Sequence, residues 1–143
     1  MDNLGLQLHS LSTALERQSD IFLLDRLDIG FAQFKILLAL KQKEGVEQKE
    51  ISKLLGQTEA SISRQVGLLV DGGLIIVKTD KKDRRKHNVF LTLKGERVIN
   101  KALAALNNFY QPVFADLSQT EQATFIQTLD KINNQLQINL YKD

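Results

Sequence analysis

The amino-acid sequence predicts a mainly α-helical chain with one small β-hairpin, an α+β fold. Apolar residues recur at spacings of three and four over most of the 143 residues, which is the period of an amphipathic helix. Only around residues 74–93 does the pattern change to short β-branched, apolar runs bounded by glycine or charge. Between these runs, Lys78 to His87 holds six Lys or Arg and two Asp, a formal charge of +4 in a chain of net charge +2.

The first two helices are predicted from their apolar stripes. Leu4 to Arg26 carries leucines and a phenylalanine on one face, with further apolar residues off that stripe. A second buried face explains them, and the alternative is a one-sided surface helix with some exposed leucines. After a break at residues 28–30, Phe31 to Lys43 resumes the helical period, and Gly45 is typical of a residue that ends a helix.

Two short helices follow, and a three-residue connection joins them. Gln48 to Leu55 is expected to bury Ile51, Leu54 and Leu55, and Glu59 to Asp71 is expected to bury Ile62, Val66, Leu69 and Val70. Gly56 can end the first helix, and the hydroxyl of Thr58 can cap the second. A short helix, a tight turn with glycine and a second helix form the helix-turn-helix pattern.

The outward face of the second short helix is a candidate DNA-binding surface. Small residues would let its backbone approach a major groove, serine could reach a base or a phosphate, and arginine could read guanine. The alternative is that these are ordinary surface residues. The candidate recognition residues are Ala60, Ser61, Ser63, Arg64 and Leu68.

The basic stretch is predicted to form the tip of the hairpin. Leu74 to Lys78 and Asn88 to Leu93 are the expected strands, with Val89, Leu91 and Leu93 on one face. A solvated loop is one interpretation of the charge, and a contact with a polyanion such as double-stranded DNA is the other. The candidate DNA-binding residues of this tip are Lys81, Lys82, Asp83, Arg84, Arg85 and Lys86.

Two long helices complete the chain. Thr92 is a candidate cap for the first of them, and Pro112 is expected to kink or end it. Ser118 and Glu121 match a capping box at the start of the last helix. The narrow apolar seam of that helix is expected to pack on the first helix, either of the same subunit or of a second copy of the chain, and the second case would form a dimer interface. The candidate residues are Leu4, Leu8, Leu11, Leu129, Ile132, Leu136 and Leu140.

We therefore expect one domain, residues 1–143, with two lobes. Residues 30–92 would form the helix-turn-helix with its hairpin, and residues 1–28 and 93–143 would form a helical dimerisation lobe. No internal repeat, low-complexity tract or flexible linker interrupts the sequence.

Several classes of function are disfavoured by the composition. The chain has no cysteine, and its two histidines, His9 and His87, lie far apart, so thiol chemistry and a metal site are not expected. We find no set of nucleophile, base and acid and no glycine-rich phosphate loop, so we predict neither an enzyme nor a cofactor. The sequence shows no signal peptide and no apolar run of membrane-spanning length, and we expect a cytoplasmic protein with no membrane partner.

The order of these elements resembles the MarR (multiple-antibiotic-resistance regulator) family of transcription factors. Four stretches carry the resemblance, at residues 30–37, 48–56, 61–75 and 83–95. The most specific is Asp83-Arg84-Arg85 followed by Leu91-Thr92 and Gly95, which is similar to the family's wing signature. The termini resemble the family only in pattern.

The resemblance implies a winged helix-turn-helix within a helical dimerisation frame, and a homodimer that binds an inverted repeat in DNA. Arg85 would reach the minor groove, Asp83 would brace it, and Ser61, Ser63 and Arg64 would lie in the major groove. Many relatives repress transcription until a small effector binds, and its identity here is unknown. The alternative from the residues alone is a winged helix that docks on a protein and has no sequence-specific DNA binding.

Overall fold

The computed structural model describes residues 3–140 and contains six α-helices and three β-strands over that range. Most helices and the hairpin lie within a residue or two of their predicted bounds. The elements in chain order are α1 (Leu4–Leu27), α2 (Phe31–Gln42), β1 (Val46–Glu47), α3 (Gln48–Leu55), α4 (Glu59–Asp71), β2 (Ile75–Thr79), β3 (His87–Leu91), α5 (Leu93–Phe114) and α6 (Gln119–Leu140).

The chain divides into two compact units, residues 1–106 and residues 107–143. The first unit holds α1 to α4, the sheet and most of α5, and the second holds the end of α5 and α6. The predicted lobes at residues 30–92, and at 1–28 with 93–143, remain a prediction. Within residues 3–140, no helix is both long enough and apolar enough to span a lipid bilayer.

The first unit is built around α2, which contacts α1, α3, α4 and β3. Its central position follows from its composition, since a larger share of its residues is apolar than in any of these neighbours, and it buries them on several sides. The fully buried side chains include Leu23 of α1, Ile36, Leu37 and Leu40 of α2, Ile51 of α3, Ile62 and Leu69 of α4, Val89 of β3 and Ile99 of α5. This core fixes α3 and α4 against the sheet.

The sheet has three antiparallel strands in the order β1-β3-β2, so the predicted hairpin has a third strand at its other edge. Val46 pairs with Val89, and Val89 pairs with Val77, so the three valines share one face of the sheet. Gly45, the residue before β1, supports the pairing of β1 with β3. It adopts a φ of +71°, and its N–H donates a hydrogen bond to the carbonyl oxygen of Val89 at 3.1 Å. A two-residue strand has no periodicity of its own, which is why the sequence did not predict β1.

The predicted strand face of Val89, Leu91 and Leu93 is wrong at its last member. Leu93 is the first residue of α5, and it is 75% exposed. The hydroxyl of Thr92 accepts a hydrogen bond from the N–H of Gly95 at 3.0 Å, as the predicted helix cap would. The strand therefore stops at Leu91 because the capping geometry begins the helix two residues later.

Two residues predicted to be buried are exposed. Leu54 is 64% exposed because α3 buries the side that lies between Ile51 and Ser52, and Leu54 projects roughly 110° away from that side at 100° per residue. Val70 is also exposed, in the last turn of α4. Pro112 lies in the last turn of α5, which ends two residues later at Phe114. The helix therefore ends soon after the proline and not at it.

Candidate nucleic-acid interface

The corner between α3 and α4 is as tight as its sequence predicts. Gly56 ends α3 with a φ of +61°, a left-handed conformation that glycine adopts without strain. The N–H of Gln57 returns to the carbonyl oxygen of Ser52 at 3.0 Å, and the hydroxyl of Thr58 accepts from the N–H of Ser61 at 3.1 Å. These bonds hold α4 at a fixed angle to α3, which is what a recognition helix needs.

The outward face of α4 carries the predicted recognition residues. Ala60, Ser63, Arg64 and Leu68 are exposed, whereas Ile62, Val66 and Leu69 on the opposite side are buried. Ser61 is half-buried, and its hydroxyl donates to Oε1 of Gln57 at 3.2 Å. The side chain of Gln57 therefore orients Ser61, a contact that no sequence pattern indicated.

The hairpin tip, residues 80–86, is ordered by one aspartate. Oδ1 of Asp80 accepts hydrogen bonds from the N–H groups of Lys82 at 2.7 Å and Asp83 at 3.3 Å. The N–H of Asp80 also donates to the carbonyl oxygen of Lys86 at 2.9 Å. Asp80 was not among the residues predicted to matter in the tip. An aspartate whose carboxylate accepts from the N–H two residues later forms an Asx turn, and aspartate is typical at the start of such a loop.

Asp83 and Arg85 are held together by a two-pronged contact. Nε of Arg85 lies 3.1 Å from Oδ1 of Asp83, and Nη2 lies 3.4 Å from Oδ2. The N–H of Arg85 also donates to Oδ1 at 3.1 Å. The hydrogen bond from the Arg85 side chain is the main reason that the pKa of the Asp83 carboxyl lies below its usual value. The guanidinium is therefore oriented while its side chain stays 91% exposed.

A second ion pair ties the hairpin to β1. Nζ of Lys86 lies 3.5 Å from Oε1 of Glu47, the last residue of β1 and the residue just before α3. The other three cations of the tip, Lys81, Lys82 and Arg84, are exposed and form no ion pair among residues 3–140. The cations of the tip thus fall into two groups: Arg85 and Lys86 form ion pairs, and the other three are free within that range.

The hairpin and the start of α3 and α4 enclose a groove of about 420 Å³. Carboxylates and cations line it together. The charged lining residues are Glu47, Glu59, Asp83, Lys49, Arg85 and Lys86. Because these six charges cancel, the uncompensated positive charge lies at the tip of the hairpin and not in the groove.

Histidine and acidic residues do not assemble into a metal site in the part of the chain that the structure describes. His9 lies on α1 and His87 begins β3, and both are exposed. The chain holds no cysteine.

The predicted dimer residues lie on helices of the two separate units. On α1, Leu4 and Leu11 are exposed, at 74% and 47%, and Leu8 is half-buried. On α6, Leu129 and Ile132 are half-buried and Leu136 is 57% exposed. Leu140 ends α6, and its side chain lies outside the part of the chain that the structure describes.

Comparison with known proteins extends over most of the chain. A family model described as the MarR family matches residues 27–86. An uncharacterized HTH-type transcriptional regulator of Bacillus cereus (strain ATCC 14579) is 30% identical over 111 residues, which cover 77% of this chain and 74% of the relative. The transcriptional regulator HosA of Escherichia coli O157:H7 is 26% identical over 107 residues, covering 75% of this chain and 79% of HosA.

Solved structures share the fold. The apo form of wild-type MarR from Escherichia coli superposes with a TM-score of 0.82 at 25% identity and covers 92% of this chain and 97% of MarR. A mutant MarR from the same organism, complexed with operator DNA, has a TM-score of 0.78 at 25% identity, with 90% and 92% covered. The sequence relatives, the family model and the winged helix-turn-helix fold agree, and the chain belongs to the MarR family.

Proposed function

We propose that this chain is a DNA-binding transcriptional regulator that acts as a homodimer on an inverted-repeat operator. The observation that carries the proposal is the exposed, capped face of α4 beside a hairpin tip whose free cations are Lys81, Lys82 and Arg84. Membership of the MarR family supports it, as does the likeness to a mutant MarR that is complexed with operator DNA.

Two arginines would divide the work of binding. Arg64, on the exposed face of α4, would reach base edges in the major groove, where arginine pairs with guanine. Arg85, held outward by Asp83, would enter the minor groove, which attracts arginine electrostatically. The remaining cations of the tip would contact phosphate and set affinity without reading sequence.

Exposed apolar side chains support the homodimer. Leu4 and Leu11 are exposed on one face of α1 in the first unit, and Ile126 and Leu136 are exposed on α6 in the second. Large apolar side chains grouped on a surface mark an interaction site more often than a solvated one. In a two-fold dimer, recognition helices would meet half-sites about 10 base pairs apart. Repression, and release by a small effector, complete the proposal by analogy with the family.

The test is salt-titrated binding to the protein's own promoter and to random duplex. Three free cations and Arg85 on each subunit would give a log–log salt slope on the order of −7 for the dimer. We expect Arg85→Ala to weaken binding to all sequences, and Arg64→Ala to weaken it and also relax the sequence preference.

Equal binding of promoter and random duplex at about 0.15 M salt would contradict the proposal. In that case the wing would serve the alternative function, docking on an acidic protein partner. Equal loss on all sequences for both arginine variants would instead contradict the division of roles.

A further inference from the structure

Three carboxylates line the groove between the hairpin and the helix-turn-helix, and only two of them have a partner. Asp83 is bound by Arg85 at 3.1 Å, and Glu47 is paired with Lys86 at 3.5 Å. Glu59 lines the same groove but forms neither an ion pair nor a side-chain hydrogen bond within residues 3–140. The carboxylate of Glu59 therefore stands unpaired in a groove whose charges balance overall, and Lys49 is the cation there that also forms no ion pair in the described part of the chain.

Glu59 is the first residue of α4, and its side chain is exposed. The hydroxyl of Thr58 caps the helix just before it, so the carboxylate is not needed as a cap. In helix-turn-helix proteins, the N-terminal residues of the recognition helix are the ones that contact base edges. On the proposed function, Glu59 consequently lies at the end of α4 that leads into the major groove.

The chemistry of the groove in DNA restricts what a carboxylate can meet there. Phosphate oxygens and the acceptor atoms of guanine, thymine and the adenine N7 repel it. Cytosine presents a single hydrogen-bond donor, its N4 amino group, and acidic side chains accept from that group. Adenine presents its N6 amino donor beside the N7 acceptor, so a carboxylate there gains a hydrogen bond but is also repelled by N7. An unpaired carboxylate at the front of a recognition helix is therefore stabilised most by cytosine.

We propose that Glu59 is a specificity-determining residue that accepts a hydrogen bond from the N4 amino group of one cytosine in each half-site. The inference rests on the proposed function and names the base class that this residue reads. A merely structural role is the alternative, since an acidic residue in the first turn also stabilises the helix dipole. That role would change stability but not base preference.

The experiment is selection of duplex from a random pool by the full chain and by Glu59→Gln. The wild-type chain is expected to enrich cytosine at one symmetric position of each half-site. Glutamine has the same size but pairs with adenine, so the variant is expected to enrich adenine there. On matched duplexes, changing that cytosine to adenine is expected to weaken wild-type binding about 5- to 100-fold, and to strengthen binding of the variant.

Glu96→Gln is the matched control, because Glu96 is the acidic residue in the first turn of α5, away from the groove. It should leave the selected sequence unchanged. Glu59→Ala is the second variant, and it should lose the preference at the same position without gaining one for adenine.

The inference is overturned if Glu59→Gln selects the same sequence as the wild-type chain. It is also overturned if the wild-type operator has no cytosine whose replacement distinguishes the two proteins. If the wild-type chain selects no sequence at all, the proposed function fails together with this inference. If it selects a sequence and Glu59→Gln selects the same one, only the inference fails.

Discussion

Replacement of Gly95 by alanine is expected to destabilise the chain, because the backbone of another segment occupies the space that a side chain would need. Gly95 is buried in the first turn of α5, and a Cβ atom there would overlap the carbonyl oxygen of Leu74. That carbonyl cannot easily move, because it accepts a hydrogen bond from the N–H of Thr92 at 3.0 Å. The same Cβ would lie 3.3 Å from Cδ2 of Leu91, so the sheet also prevents a shift of the helix.

The magnitude follows from the kind of atom that is met. Overpacking a core costs about 1–3 kcal/mol when side chains can adjust. Here the obstacle is backbone, so we expect a loss of about 2–3 kcal/mol in the free energy of unfolding, even after the small gain in helix propensity. For a chain of this size, the midpoint of thermal unfolding would fall by roughly 4–12 °C.

The assay is urea and thermal unfolding of the variant, with Gly67→Ala as its control. Gly67 lies within α4, and a Cβ atom there meets nothing within 4 Å. The control should therefore gain roughly 0.5–1 kcal/mol, as alanine does over glycine inside a helix. If Gly95→Ala were as stable as the wild-type chain, the close approach of α5 to Leu74 would be refuted.

Three further predictions concern the hairpin and the last helix. Asp83→Asn should weaken DNA binding, on the order of tenfold, because Arg85 loses its orientation; tighter binding, as simple addition of positive charge would give, would refute the brace. Since the pKa of Asp83 is lowered, its contact with Arg85 is present above the ordinary carboxyl range and is lost only as the pH falls through that lowered value. The ratio of wild-type to Asp83→Asn affinities should therefore stay constant between about pH 5 and pH 8; a change within that window would contradict the pairing. Ser118→Ala should lower the stability of α6 by about 0.5–2 kcal/mol, measured by unfolding, because the Ser118 hydroxyl accepts from Glu121 N–H at 3.1 Å while the Glu121 carboxylate accepts from Ser118 N–H at 2.8 Å; an unchanged midpoint would show that the box contributes nothing.

Local signals in the sequence predicted the helix-turn-helix and its caps well. Gly56 and Thr58 marked the turn between α3 and α4, and the structure uses both as expected. Ser118 and Glu121 marked the start of α6 in the same way. Each of these signals involves residues within four positions of one another, where the chemistry of a side chain and the nearest backbone groups decides the outcome.

Contacts between distant residues could not be predicted in the same way. Glu47 and Lys86 are far apart in the sequence, and they meet only because β1 pairs with β3. Which side of α3 is buried likewise depends on what the helix packs against, and for that reason the predicted burial of Leu54 was wrong. The role proposed for Glu59 depends on the pairing of the other two carboxylates of the groove, which only the folded structure shows.

A dimer of this chain that reads an inverted repeat with α4 and the hairpin is the central proposal. Selection of bound duplex from a random pool, together with the mass of the protein–DNA complex in solution, tests it most directly. We expect a palindrome with half-sites about 10 base pairs apart and a mass of two chains per duplex. A complex with one chain per duplex, or a pool with no enriched sequence, would contradict it.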